Sequence, residues 1–232
     1  MRKLKLITFD AFGTLLQLAK PVPFTYYETA QKYGISATLE EIKKNSDRAF
    51  AELSKTHKNG GLKDVLNPRE WWFEVIKRSF PCQIPNTMAE DLWNHYSTKS
   101  AYRIHPLFEG FLRRNAQEKG YSIGIISNTD DRIYSVFKSC GFAHLIDVYA
   151  FSYDIGCQKP EKGIFEYVRN KTGELTRVIP APKECLHFGD DVSKDVEAAK
   201  NIGWHGEFCD IYTNFPKVIH EIESSFGSGS KD

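Results

Sequence analysis

Residues 4–16 read Leu-Lys-Leu-Ile-Thr-Phe-Asp-Ala-Phe-Gly-Thr-Leu-Leu. An apolar run ends on one carboxylate, Asp10, and a small, turn-prone stretch, Ala11-Phe12-Gly13-Thr14, follows it. A short apolar run bounded by turn residues is the signature of a strand buried on both faces. In open α/β sheets, ligands bind beyond the carboxyl ends of the strands. Asp10 therefore stands where a nucleophile is used, and the rest of the chain decides whether it has partners.

Four further runs share this character: Ser122 to Ile126, Val148 to Phe151, Cys185 to Phe188, and a weaker one around Gly206 to Cys209. Helical patterns lie between them. Ile133, Val136, Phe137 and Cys140 fall on one face, as do Ile164, Phe165 and Val168. Another helix is expected from Ser193 to Ile202, with Gly203 as its stop. Strand and helix in alternation predict βα units and a doubly wound parallel sheet.

The stretch 18–100 breaks that rhythm. Leu39, Ile42, Ser46, Ala49, Phe50 and Leu53 recur at helical spacing, as do Trp71, Trp72, Val75, Ile76 and Phe80, and then Leu92, Trp93 and Tyr96. No convincing strand is visible there. The reading is a helical bundle inserted after the first strand, with its aromatics in the bundle core. Residues 1–17 and 101–226 then form the α/β core. The Gly-Ser-Gly-Ser-Lys-Asp tail, 227–232, cannot bury surface and is expected to be disordered.

A chain of 232 residues can hold such a core and insertion. Its 31 Lys and Arg against 30 Asp and Glu leave a net charge of +1, without the basic excess that nucleic acid requires. No apolar run approaches the roughly 20 residues that span a bilayer, and the first residues lack the apolar core of a secretory signal. Five scattered cysteines without metal-ligand spacing point to a reducing compartment without disulfides. The cytoplasm is the default expectation, with nucleus and mitochondrion also compatible. No nucleic acid or membrane partner is expected, and the sequence is silent on oligomeric state.

Three more segments carry chemistry. Ser127-Asn128-Thr129 follows an apolar run, where a hydroxyl and an amide can donate to an anion or merely cap a helix. Lys159-Pro160 holds a lysine beside a proline suited to a first helical turn, so the charge can be aimed at a cleft or lie solvated. Gly189-Asp190-Asp191 with Asp195 crowds three carboxylates at a strand end. They repel unless a cation sits there, although Asp191 also suits an N-cap. His187 reads as a structural histidine. Asp10, Ser127, Lys159 and Asp190 would converge on one edge of the sheet.

In this order, the segments Asp10-Ala11-Phe12-Gly13-Thr14-Leu15, Ser127-Asn128, Lys159-Pro160 and Gly189-Asp190-Asp191 with Asp195 resemble the haloacid dehalogenase superfamily, over essentially the whole chain up to the tail. Trp71-Trp72 and Ser127-Asn128-Thr129-Asp130 are most similar to its haloacid dehalogenase-like hydrolase domain-containing protein 3 group. The resemblance implies a Rossmann-like sheet of order 3-2-1-4-5 with an inserted α-helical cap. It implies that Asp10 attacks the substrate and becomes a covalent ester. Ser127, Asn128 and Lys159 would hold the transferring group, and Lys159 would also neutralise charge. In the phosphatase branch Mg2+ would be held by Asp10, Asp190 and the backbone carbonyl of Phe12, with Asp191 and Asp195 as auxiliary groups positioning water and Lys159. The substrate would be a small phosphorylated metabolite.

One departure matters. Phe12 stands where most phosphatases of the superfamily carry a second aspartate as general acid and base, assistance typically worth about 10²- to 10⁴-fold in rate. Asp130, Asp131 and His57 are the candidate substitutes. An aromatic residue there also suits the metal-independent L-2-haloacid dehalogenase branch, whose halide leaves without a proton. Against that, Asp10, Asp190, Asp191 and Asp195 face one Lys159, an excess of negative charge that a divalent cation relieves. Phosphoryl chemistry is the expected reading, and dehalogenation the alternative. A third reading is a module that binds a phosphorylated ligand or a protein and turns over little.

Overall fold

The computed structural model describes residues 4–56, 67–118 and 120–226. Two of the sequence expectations, the disordered tail 227–232 and the role of His57, lie outside the described residues. Elements run in the order β1 (Leu6–Phe9), β2 (Leu16–Leu18), α1 (Val22–Lys32), α2 (Leu39–Thr56), α3 (Pro68–Arg78), α4 (Asn86–His95), β3 (Tyr102–Ile104), α5 (Pro106–Glu118) and β4 (Ser122–Ser127). They continue with α6 (Arg132–Ser139), β5 (Val148–Phe151), α7 (Ser152–Ile155), α8 (Lys162–Thr176), β6 (Cys185–Gly189), a π-helical turn Val192–Glu197 leading into α9 (Ala198–Asn201), β7 (His205–Phe208) and α10 (Phe215–Phe226).

Five strands form one parallel sheet in the order β5-β4-β1-β6-β7, which is 3-2-1-4-5 when the sheet strands are numbered along the chain. β1 is central and wholly buried. The pleat sends alternate side chains to opposite faces. Leu6 joins Ile164, Phe165, Val168 and Trp204 in a cluster on one face. Phe9, three residues on, meets the rings of Phe108 and Phe111 from α5 on the other. Register fixes the functional edge: Phe9 pairs with Ile125 and Phe188, and Ser127 pairs with Phe151. The strands therefore end together, and Asp10, Asn128 and Asp190 follow at that edge. β2 and β3 form a separate two-stranded sheet.

The chain divides into two compact units, residues 1–17, 104–128 and 140–232, and residues 18–103 with 129–139. The second is helical. Tyr26, Ala30, Ile42, Ile76, Met88, Ala89 and Leu92 make its core, drawn from α1 to α4. α3 starts on a reciprocal cap in which Asn67 Oδ1 accepts from the Glu70 N–H and Glu70 accepts from the Asn67 N–H. Two stripe positions behave differently from the sequence reading: Leu39 and Phe50 are exposed. Phe50 nonetheless packs edge-on against Trp71.

The segment 129–139, which the sequence reading kept with the α/β core, groups with the helices. The Arg132 guanidinium stacks on Trp72 at 4.5 Å and Trp93 at 4.2 Å. Asp130 accepts from Arg132 Nε (2.7 Å) and Nη2 (2.8 Å), and from Trp72 Nε1 (3.1 Å). At the far end of α6, Ser139 Oγ accepts from the Lys99 N–H at 2.9 Å. Among the described residues no helix is long and apolar enough to cross a membrane.

Candidate active site

The site lies in the α/β unit and starts from Asp10. Its N–H donates to the Phe188 carbonyl at 2.8 Å, so the main chain leaves β1 still tied to β6. The turn that follows needs a glycine. Gly13 has φ +79°, and a Cβ on it would collide with the Asp190 carboxylate. Thr14 Oγ1 lies 3.1 Å from Asp190 Oδ1 and 3.2 Å from the Cys209 carbonyl, which seats Asp190 against the same turn. Phe12 is half-buried in that turn, beside Gly13.

Lys159 comes from the segment before α8 and is 3% exposed. Its backbone is gripped at both ends by Asn128, whose Oδ1 accepts from the Lys159 N–H (2.8 Å) and whose Nδ2 donates to the Lys159 carbonyl (2.9 Å). Both polar ends of the Asn128 side chain thus serve to place the lysine. Lys159 Nζ lies 2.5 Å from Asp195 Oδ1 and 2.8 Å from Asp10 Oδ1. Burial opposes the charge on Lys159, but Asp10 and Asp195 outweigh it and raise the ammonium above the usual lysine range. Ser127, also buried, is the last residue of β4.

Asp195 is fully buried beneath the strand ends. Gly189 makes that position available, because a Cβ there would overlap the Asp195 carboxylate. Asp195 Oδ2 accepts from the Asp191 N–H (3.1 Å), and Oδ1 also faces His187 Nε2 (3.1 Å). Burial alone would raise this carboxyl, but the hydrogen bond from His187 and the charge of Lys159 hold it well below the usual range. Asp190 moves the other way, raised by burial and then by the nearby charge of Asp10.

Asp191 is a cap. Its Oδ1 accepts from the N–H groups of Ser193 and Lys194, and its Oδ2 meets Lys194 Nζ at 2.7 Å. That lysine pairing, then the backbone bond, lowers its carboxyl. The acids gathered at the edge are instead Asp10, Asp190 and Asp195, each with a ligand oxygen within 4.8 Å of the others. Of the groups considered as replacements for the acid-base residue, Asp130 is buried and bonded to Arg132 and Trp72. Asp131 is exposed.

The donor set suits a hard divalent cation. Three carboxylates against one ammonium leave two negative charges in a partly desolvated site. Asp10 Oδ1 is ion-paired with Lys159 at 2.8 Å, and a carboxylate keeps lone pairs beyond that contact with which to ligate a cation. Carboxylate oxygens are the ligands such a cation prefers. Asp10 and Asp190 are the acids whose oxygens would hold it, while Asp195 is drawn toward Lys159.

The sequence reading named these acids and the lysine but set aside the residues behind them. His187 lies fully buried between Asp195 and Thr8, with Nδ1 2.8 Å from Thr8 Oγ1. The signal was available only through strand pairing, since Thr8 and His187 are direct partners in the β1–β6 register.

A parallel sheet that gathers an aspartate, a lysine and further acids at its carboxyl edge defines a class of α/β hydrolases. The family model for haloacid dehalogenase-like hydrolases matches residues 4–203, and the chain belongs to that family. It is 54% identical over 221 residues to the uncharacterized hydrolase C7D4.05 of Schizosaccharomyces pombe, covering 95% of this chain and 97% of the relative. Haloacid dehalogenase-like hydrolase domain-containing protein 3 of Xenopus laevis is 28% identical, with 95% and 88% covered. Among solved structures, a HAD phosphatase from Thermococcus onnurineus shares the fold with a TM-score of 0.62 at 21% identity, over 97% of this chain and 98% of that one. An L-2-haloacid dehalogenase from Xanthobacter autotrophicus with chloropropionic acid covalently bound shares it with a TM-score of 0.59 at 18% identity, over 87% and 75%.

Proposed function

We propose that this chain is a magnesium-dependent phosphatase that hydrolyses a small phosphate monoester through an aspartyl-phosphate on Asp10. The observation that carries this reading is the gathering of Asp10, Asp190 and Asp195 within ligand reach of one another, with two negative charges in excess of Lys159.

A carboxylate oxygen of Asp10 attacks phosphorus, and the bond from phosphorus to the departing oxygen breaks with its electron pair going to that oxygen. Water then attacks the phosphorus of the aspartyl-phosphate, which restores the Asp10 carboxylate and releases inorganic phosphate. Lys159, fixed by the Asn128 amide, balances charge on the phosphoryl oxygens and on Asp10. Ser127, at the end of β4, donates to the same group. Mg2+ held by Asp10 and Asp190, with the Phe12 carbonyl as a backbone ligand, supplies further charge neutralisation when bound.

Phe12 shapes the substrate class. A phenyl ring neither gives nor takes a proton, so the departing oxygen leaves as its anion or draws on solvent. This favours aryl or enol phosphates over alkyl phosphates. A dehalogenase reading is favoured by Phe12 alone. It is opposed by the charge excess, which repels a haloacid carboxylate unless a cation is present.

The test measures phosphate release from p-nitrophenyl phosphate with magnesium and with chelator, beside halide release from 2-chloropropionate. Phosphate release abolished by chelator is the expected result. Halide release indifferent to chelator would establish the dehalogenase instead, and magnesium binding with neither product would establish a binding module.

A further inference from the structure

We infer that Thr8 and His187 are positioning residues: the Thr8 hydroxyl locks the His187 ring in one tautomer, and that ring holds the Asp195 carboxylate on Lys159. The inference rests on the phosphatase reading for its kinetic consequence but not for its structural one.

The argument is a count of donors and acceptors. Asp195 accepts from the Asp191 N–H and is ion-paired with the Lys159 ammonium, which holds it ionised, so it can only accept. His187 Nε2, 3.1 Å from the same Oδ1, must therefore carry a proton. The ring is fully buried, and desolvation disfavours a second proton on it. Nδ1 is then bare and must accept. The group it faces, at 2.8 Å, is the Thr8 hydroxyl. That hydroxyl has one proton and a second acceptor, the Leu186 carbonyl, at the longer distance of 3.2 Å. Each bond in the row thus has an assigned donor: Thr8 donates to His187, and His187 and Lys159 both donate to Asp195.

Packing fixes the ring plane as well. Phe165 meets His187 edge to face, with centroids 5.2 Å apart and planes at 90°. Thr8 and His187 are opposed residues of the adjacent strands β1 and β6, and both are fully buried. A carboxylate held from behind by a ring so anchored keeps Lys159 Nζ at a set distance from Asp10. Groups of this kind orient those in front of them, and their loss typically costs about 10- to 100-fold in activity.

The experiment compares Thr8→Val, Thr8→Ser and His187→Gln with the wild-type chain. Long-range proton–nitrogen correlation spectra of 15N-histidine-labelled protein read the tautomer directly, and loss of one ring's signals in His187→Gln assigns them. We expect the protonated-Nε2 pattern in wild type and Thr8→Ser, and its loss or mixing in Thr8→Val. With p-nitrophenyl phosphate, kcat should fall about tenfold in Thr8→Val and His187→Gln with KM within twofold, and Thr8→Ser should restore it.

A protonated Nδ1 in wild type, or an unchanged tautomer in folded Thr8→Val, would overturn the inference. So would Thr8→Val with reduced stability but full kcat. If His187→Gln does not fold, Thr8→Val carries the test alone. A wild-type chain that releases no phosphate sinks the phosphatase reading and leaves the spectra to decide the tautomer.

Discussion

Lys159 in the α/β unit is buried and Arg132 in the helical unit is half-buried, and both are paired with carboxylates, but their surroundings balance charge differently. Arg132 meets one acid, Asp130, through two parallel N–H bonds, and two indole faces close over the guanidinium. One cation and one acid offset each other there. Lys159 meets two acids, Asp10 and Asp195, and Asp190 stands within ligand reach of both. The first arrangement is complete and holds a helix in place. The second is incomplete by charge, and that deficit is what the proposed cation would fill.

Removing the proposed nucleophile should break the comparison most sharply. Asp10→Asn is expected to lower phosphate release to roughly one-thousandth or less of wild type while the circular dichroism spectrum and melting cooperativity persist. Retained activity in that variant would show that the unbalanced cluster is not the reacting one.

The balanced pair should fail in the opposite way, by stability. Arg132→Met leaves Asp130 buried without its cation and should cost about 3–5 kcal/mol in urea unfolding. Arg132→Lys, which keeps the charge but loses the fork and much of the stacking, should cost less, about 1–2 kcal/mol. Equal losses for the two would mean that geometry contributes nothing beyond charge.

Phe12→Asp sharpens the comparison by adding a proton donor at the unbalanced site. Turnover of an alkyl phosphate should rise by about a hundredfold, the lower end of general acid-base assistance, with a smaller gain for an aryl phosphate. No change in a folded variant would place the deficit elsewhere than at Phe12. The smallest effect is expected from Asn67→Ala, which removes the side-chain cap of α3. About 1 kcal/mol of stability should be lost, with kcat unchanged.

Much of this architecture was legible before any coordinates. Four of the five sheet strands are largely apolar runs, the fifth, His205–Phe208, is weaker, and register then brings Asp10 and Asp190 to one edge. Features that depend on pairing across the chain were not. Thr8 and His187 are separated by 179 positions, and only the alignment of β1 with β6 makes them neighbours. The clamp between Asn128 and Lys159 spans 31 residues and uses backbone groups that carry no sequence signal. β2 and β3 are three residues each, too short for alternation to register. Asp191 was ambiguous because a cap and a metal-associated acid use the same residue type at the same place; its bonds to Ser193 and Lys194 decide for the cap.

The grouping of 129–139 with the helices means that the chain crosses between the two units four times. The helical unit is therefore not a cassette. An exchange of 18–103 with a homologue would leave Asp130 and Arg132 behind, facing indoles chosen by a different lineage. Shuffling experiments that aim to trade specificity should move 129–139 together with 18–103, and natural recombination at residues 18 and 103 alone should leave few viable descendants.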